Sequence, residues 1–211
     1  EDALLHGAPE RRAEWLSRIT DLFILGSGEY SDDHVALFDD VMVGLAAEIE
    51  TSVKASLAHR LAAVANAPPN VIRSLACDDS IEVAGPVLTN SDRLDEAALI
   101  DGAKTKSQGH LLAISRRKFL AEVVTDVLVE RGDRQVVQGV AENPGAKFSE
   151  FGYATLVNRA DGDDQLATIV GLRPEIPRHH FLKLLAKASN IVRRKLEGAH
   201  PEAVGEVRNI V

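Results

Sequence analysis

The chain reads as all-α. Three observations carry that reading. Apolar residues recur at steps of three and four along most of the sequence, and no run of alternating polar and apolar residues marks a strand. The apolar segments are short, about ten to twenty residues, and turns rich in Asp, Gly, Asn and Pro separate them. Aromatic residues make up only 4% of the 211 residues while 45% are hydrophobic, so small aliphatic side chains that let helices approach closely supply the core.

The first helix is predicted over Pro9 to Leu25, with Trp15, Ile19, Leu22 and Phe23 on its apolar face. Pro9 suits a first turn, and Gly26 suits the exit. Ser31 is a good N-cap for the second helix, and Asp32 and Asp33 sit where a helix start favours negative charge. Val35, Phe38, Met42, Leu45 and Ile49 form its stripe. A third helix at about 52–65 carries Val53, Leu57, Leu61 and Val64. Residues 1–65 are thus expected to form a bundle-like block.

From Pro68 the predicted helices shorten. Pro68 and Pro69 open one that runs through Ala76. Ser80 caps the next, where Pro86 is expected to kink the helix or mark its true start. Asp95 caps a helix to Ala103, and Ser107 caps one holding Leu111, Leu112 and Ile114. Phe119 to Arg131 has the stripe Leu120, Val124, Val127 and Leu128, with Gly132 as a left-handed stop. Helices at about 133–141, 148–159, 164–171, 177–186 and 188–197 complete the chain. PVLTNSD (86–92) pairs with DVLVERGD (126–133), and HLLAISRR (110–117) with YATLVNRA (153–160), at offsets of 40 and 43. A period near 40 predicts HEAT-like helix pairs over 66–211, packed continuously on the first block.

The net charge of −8 is unevenly spread. Residues 1–109 carry 19 acidic and 9 basic side chains, and residues 110–211 carry 13 and 15. The acidic half is unsuited to duplex nucleic acid, which requires a concentrated basic face. One cysteine, Cys77, rules out an internal disulfide and fits the cytoplasm. No run approaches the ~20 apolar residues of a membrane span. The opening EDALLHGAPERRAEWL lacks the basic-then-apolar order of a signal peptide. This opening and the closing GEVRNIV both read as interior to a longer protein.

Catalytic patterns are absent from the sequence. LGSGEYS at 25–31 lacks the Gly-Lys-Ser/Thr of a phosphate loop and reads as a turn. There is no HExxH, no CxxC and no calcium loop, and no GxSxG elbow. His179 and His180 are adjacent, which on a helix points them about 100° apart, so a joint metal site is not expected. The carboxylate pairs Asp32/Asp33, Asp39/Asp40, Asp78/Asp79 and Asp163/Asp164 read as solvated caps, with an acid–base pair as the functional alternative. No catalytic residue, metal, nucleotide or other cofactor is therefore expected.

NAPPNVIRSLACDDSIEVAGPVL, HLLAISRR, and VTDVLVERGDRQVV followed by AENPGAKFS together resemble a bacterial domain-of-unknown-function family, numbered 2336. The resemblance spans about residues 57–190. It implies an all-helical region, often the front part of a longer protein, and carries no catalytic residues with it.

The sequence reading is a noncatalytic protein-interaction or scaffold module in bacterial signalling or regulation, since stacked helix pairs offer a broad surface without a deep pocket. The candidate interaction residues are His110, Arg116, Arg117, Arg193 and Arg194. Paired arginines suit an acidic or phosphorylated protein partner, and homo-oligomerisation is compatible with the pattern. For His110 the structural reading is a contact to a neighbouring interhelical turn. The alternatives are a phosphotransfer or enzymatic module using His34 or His110, and nucleic-acid binding through the basic second half.

Overall fold

The computed structural model describes residues 9–47 and 49–199, so the opening eight residues and the GEVRNIV end lie outside it. The described residues form helices α1 (Pro9–Gly26), α2 (Asp32–Ala46), α3 (Thr51–Leu61), α4 (Pro69–Ala76), α5 (Ile81–Asn90), α6 (Glu96–Thr105), α7 (Gln108–Ser115), α8 (Glu122–Arg131), α9 (Arg134–Glu142), α10 (Glu150–Arg159), α11 (Asp164–Gly171), α12 (Arg178–Lys187) and α13 (Asn190–Ala199). Among these residues there is no strand; a single isolated bridge joins Leu120 to Ala146. The fold is all-α.

The chain divides into two compact units between Lys118 and Phe119, whereas the change in helix length falls near residue 65. In the first unit α1 packs on α2 and α3, α2 on α4, and α3 on α4 and α5. The helix α5 then packs on α7, and α7 on α6. Between α1 and α2, Phe23, Tyr30 and Phe38 meet at ring-centroid distances of 5.0 to 5.8 Å. In the second unit α8 packs on α9 and α10, α9 on α11, and α10 on α11 and α12. Helix α11 packs in turn on α12 and α13.

From Pro69 onward the helices come in pairs. The first helices of the pairs open at 69, 96, 122, 150 and 178, in steps of 27, 26, 28 and 28 residues. The second helices open at 81, 108, 134, 164 and 190. The step is therefore near 27, not 40. The 40-residue matches align the end of a second helix (86–92) with the body of a first helix, which have different neighbours.

The core follows the 27-residue step. Val71, Val124, Gly152 and His180 are buried at one position of the first helices. Leu75, Leu128, Leu156 and Leu184 are buried one turn further on. In the second helices Val83, His110, Val136, Leu166 and Val192 share a buried position, and Val87, Ile114, Val140, Val170 and Leu196 another. A spacing of four residues between the two positions puts both on one side of each helix.

Local chemistry sets the boundaries. Ser31 and Asp95 cap as expected, accepting from the backbone N–H of His34 and Ala98. Asp133, Ser149 and Asp163 do the same for Val136, Gly152 and Leu166. Four expectations change. The buried face of α1 is Leu16, Thr20 and Phe23, turned from the expected one, and Trp15 and Leu22 are exposed. Pro86 lies inside α5 rather than opening it. Phe119 precedes α8 and is 72% exposed, while Leu120 is buried through its bridge to Ala146. Gly132 has φ −63° and ψ 144°, so it is extended, not left-handed. A glycine is needed there for space: a Cβ would overlap the Leu128 carbonyl oxygen and lie 2.6 Å from Val136 Cγ1.

Leu128 is fully buried in the core of the second unit. Leu128→Ala is expected to lower stability by about 2–5 kcal/mol, measured by denaturant unfolding. An unchanged midpoint would place that face outside the core.

Candidate functional site

His110 is the third residue of α7 and lies at the core position also held by Val83, Val136, Leu166 and Val192. A polar ring in that place must find partners. Its Nδ1 is 2.8 Å from Ser107 Oγ, and its Nε2 is 3.0 Å from the carbonyl of Asp78 in the turn before α5. The Ser107 hydroxyl therefore pairs with the imidazole and makes no cap bond to the backbone. His110 links an interhelical turn of one pair to the next, and it is buried rather than presented to a partner groove.

Arg117 is also buried. It follows α7 by two residues and reaches back to the end of α5, donating to the carbonyls of Leu88 (2.7 Å) and Ser91 (2.8 Å). Helix ends carry unsatisfied carbonyls with partial negative charge, and a guanidinium satisfies two at once. Burial pushes its pKa down, with Asp92 pulling the other way. The Arg116–Arg117–Lys118 run is thus not one solvated cationic patch: Arg116 and Lys118 are exposed, and Arg117 holds the fold together.

Arg173 repeats the arrangement in the second unit. It follows α11 by two residues and donates to Ala141 (2.8 Å), Asn143 (2.9 Å) and Ala146 (2.8 Å) at the end of α9. Its guanidinium carbon also lies 4.8 Å from the centre of the Phe148 ring. Leu88 and Ala141, the first carbonyl partners of the two arginines, are equivalent in the helix pairs. Nothing in the sequence marks Arg173, because a lone arginine beside Pro174 has no local pattern.

Of the second basic group, Arg193 is half-buried and its Nε donates to the Leu185 carbonyl at 3.2 Å, while Arg194 is exposed. His34 is exposed in the first turn of α2, with Nδ1 3.1 Å from Ser31 Oγ. Cys77 is exposed. The LGSGEYS segment is an interhelical turn, where Asn66 donates to the Ser27 carbonyl and Tyr30 Oη donates to the Leu22 carbonyl.

The carboxylate pairs separate by role. Asp40 is exposed, but Asp39 is buried on α2 and accepts from the backbone N–H groups of Asn70 (3.0 Å) and Val71 (2.9 Å). It caps α4, whose own N-cap position is Pro68 with no side chain to offer. Asp79 pairs with Lys106 at 2.6 Å, a contact that holds its carboxyl below the usual range.

One cluster gathers groups that the sequence separates. Glu150 opens α10, and His179 and His180 lie in the first turn of α12, which packs on α10. Both imidazoles turn toward the same carboxylate oxygen: His179 Nε2 is 2.7 Å and His180 Nε2 2.8 Å from Glu150 Oε1. The two rings are 4.1 Å apart at their centroids. Adjacency on a helix does not keep them apart, because side-chain torsions tilt both rings over the Glu150 carboxylate. The hydrogen bond from His179 holds the Glu150 carboxyl below its ordinary pKa. Burial pushes His180 down, against the pull of Glu150. No sequence motif marks this cluster, since the carboxylate stands 29 residues before His179.

Exposed apolar residues also share a register. Val123 is the second residue of α8 and 50% exposed; Phe151 is the second of α10 and 51% exposed. His179 holds the same place in α12.

Arg117→Ala is expected to destabilise the chain by about 2–4 kcal/mol, because it leaves buried carbonyls without a donor. Arg116→Ala should change stability by less than about 0.5 kcal/mol. Urea unfolding of the two single variants separates them, and equal midpoints would contradict the buried role of Arg117.

No curated protein and no solved structure matches the chain. Residues 83–211, well over half of it, match the family described as "Uncharacterised protein conserved in bacteria (DUF2336)". Val83 opens the core of α5, so the match begins inside the first helix pair and takes in α6 to α13. The chain belongs to this bacterial family.

Proposed function

We propose that the chain is a noncatalytic protein-interaction or scaffold module, built on HEAT-like helix pairs and acting in the bacterial cytoplasm in signalling or regulation. The observation that carries this reading is the exposed row at the second residue of α8 and α10, Val123 and Phe151, continued by His179 on α12. These helices are neighbours in the packing, so the row crosses adjacent first helices of successive pairs. Surface that repeats with the helix step is how stacked pairs build a binding face from many side chains.

The short helices support an interaction role, although the step is shorter than that of a HEAT pair. HEAT and related pairs typically take ~40 residues. Here each pair takes about 27 because its helices hold only eight to ten residues. Such pairs bury one side and leave little room for a deep enclosed site, whereas their outer edge stays open to a partner.

Exposed cations, rather than the apolar row itself, point to the chemistry of the partner. Arg116 and Arg194 are exposed, and an exposed guanidinium pairs with carboxylate or phosphate groups. The partner we propose is accordingly an acidic or phosphorylated protein. Arg117 is not part of that contact, because its guanidinium is used at the end of α5. The placement in the cytoplasm is supported by the single cysteine.

The test is affinity capture from a bacterial lysate, comparing the wild-type chain with Phe151→Asp. A charge at a half-exposed position on the row should abolish recovery of the partner while leaving the far-UV circular dichroism spectrum unchanged. Recovery of the same partner by both proteins would remove this face from the interface.

A further inference from the structure

We infer that Glu150, His179 and His180 form a zinc-binding site that joins the first turns of α10 and α12. The donor set is two imidazole nitrogens and one carboxylate oxygen, which suits Zn²⁺. The three ligand atoms lie within 4.8 Å of one another. Around one tetrahedral zinc, ligands at 2.0–2.1 Å stand roughly 3.3 Å apart. Glu150 and His179 are exposed side chains, so small outward movements bring the atoms from their present 2.7 and 2.8 Å contacts to that spacing.

His180 provides the second, independent observation. Its side chain is 1% exposed, and neither Nδ1 nor Nε2 has a hydrogen-bond partner. Nε2 is within ion-pair distance of Glu150 Oε1, but the geometry is not that of a hydrogen bond. A buried ring with unsatisfied nitrogens is costly, and a core position that elsewhere holds Val71, Val124 or Gly152 has no packing reason to carry one. A metal ion satisfies Nε2 and replaces the shared proton between His179 and Glu150. His110, the other histidine in a core position of these pairs, has a partner on both nitrogens and so lacks this signature.

The site is a three-ligand one. Its exposed members leave the fourth position open to water, as in zinc sites that keep an exchangeable ligand. Zinc would tie two helices that each carry a member of the Phe151–His179 row. The inference does not rest on the protein-binding proposal, since zinc uptake is measured on the isolated chain.

The experiment is isothermal titration of zinc chloride into the chelator-treated full chain. Glu150→Gln and His179→Ala serve as variants because both positions are exposed; a buried His180 variant is avoided because it can fail to fold. Melting curves without zinc establish that the variants remain folded. The expected result is one zinc per chain, a raised melting temperature with zinc, and affinity weakened at least about 100-fold in each variant, the upper end of what even an outer-shell partner is worth. Binding should also weaken as pH falls through the imidazole range, because protons compete for the nitrogens. The inference is overturned if the wild-type chain takes up no zinc, or if wild type and both variants bind with the same stoichiometry and affinity.

Discussion

An α-helix of eight to ten residues satisfies only about half of its own backbone groups, because its first four N–H groups and last four carbonyls have no partner within it. From α4 onward every helix among the described residues is of that length. Ends are therefore as numerous as middles, and many are too close to the core to be left to water. The structure meets this constraint with charged and polar side chains from neighbouring elements. Asp39 closes the start of α4. Arg117 closes the end of α5, and Arg173 the end of α9. Lys106 donates to the Cys77 carbonyl after α4 at 2.5 Å, Arg159 to the Val129 carbonyl in α8 at 2.7 Å, and Arg193 to that of Leu185 in α12.

The contacts of Arg117, Arg159 and Arg173 span 26–32 residues, close to one helix-pair step, while Arg193 reaches eight residues back within its own pair. Arg117, Arg159 and Arg173 thus each belong to one pair and their carbonyls to the pair before. Apolar burial holds the pairs together without direction, while the end contacts are directional and fix which turn meets which. The same register explains why His110 is buried: it occupies a position that is apolar in the other pairs, and it is tolerated because Ser107 and the Asp78 carbonyl take up both nitrogens. His180 stands in an equally buried position without such partners, and that difference separates a structural histidine from a candidate ligand.

Much of the fold was legible in the sequence because its signals are local. Ser31 and Asp95 cap where a short polar side chain precedes an apolar period, and the Pro69 start follows from a residue that lacks an N–H. The misreadings arise where the deciding neighbour is distant. Gly132 looks like a left-handed stop until the Leu128 carbonyl and Val136 are placed against it. Arg117 looks like part of a surface run until α5 is beside it. The 27-residue step was hidden because the pairs share burial rather than residue identity: Val, His and Leu all fill one position. The Glu150 cluster was invisible for the same reason, since α12 must pack on α10 before the carboxylate meets the histidines.

The central claim is that side chains of one pair hold the helix ends of the previous pair. Hydrogen exchange read by mass spectrometry, comparing the wild-type chain with Arg173→Ala, tests it most directly. Arg173 donates to three carbonyls between Ala141 and Ala146. The account predicts faster exchange concentrated in the second half of α9 and the segment after it, with α12 and α13 little changed. Unchanged exchange across 134–148 in the folded variant would contradict it.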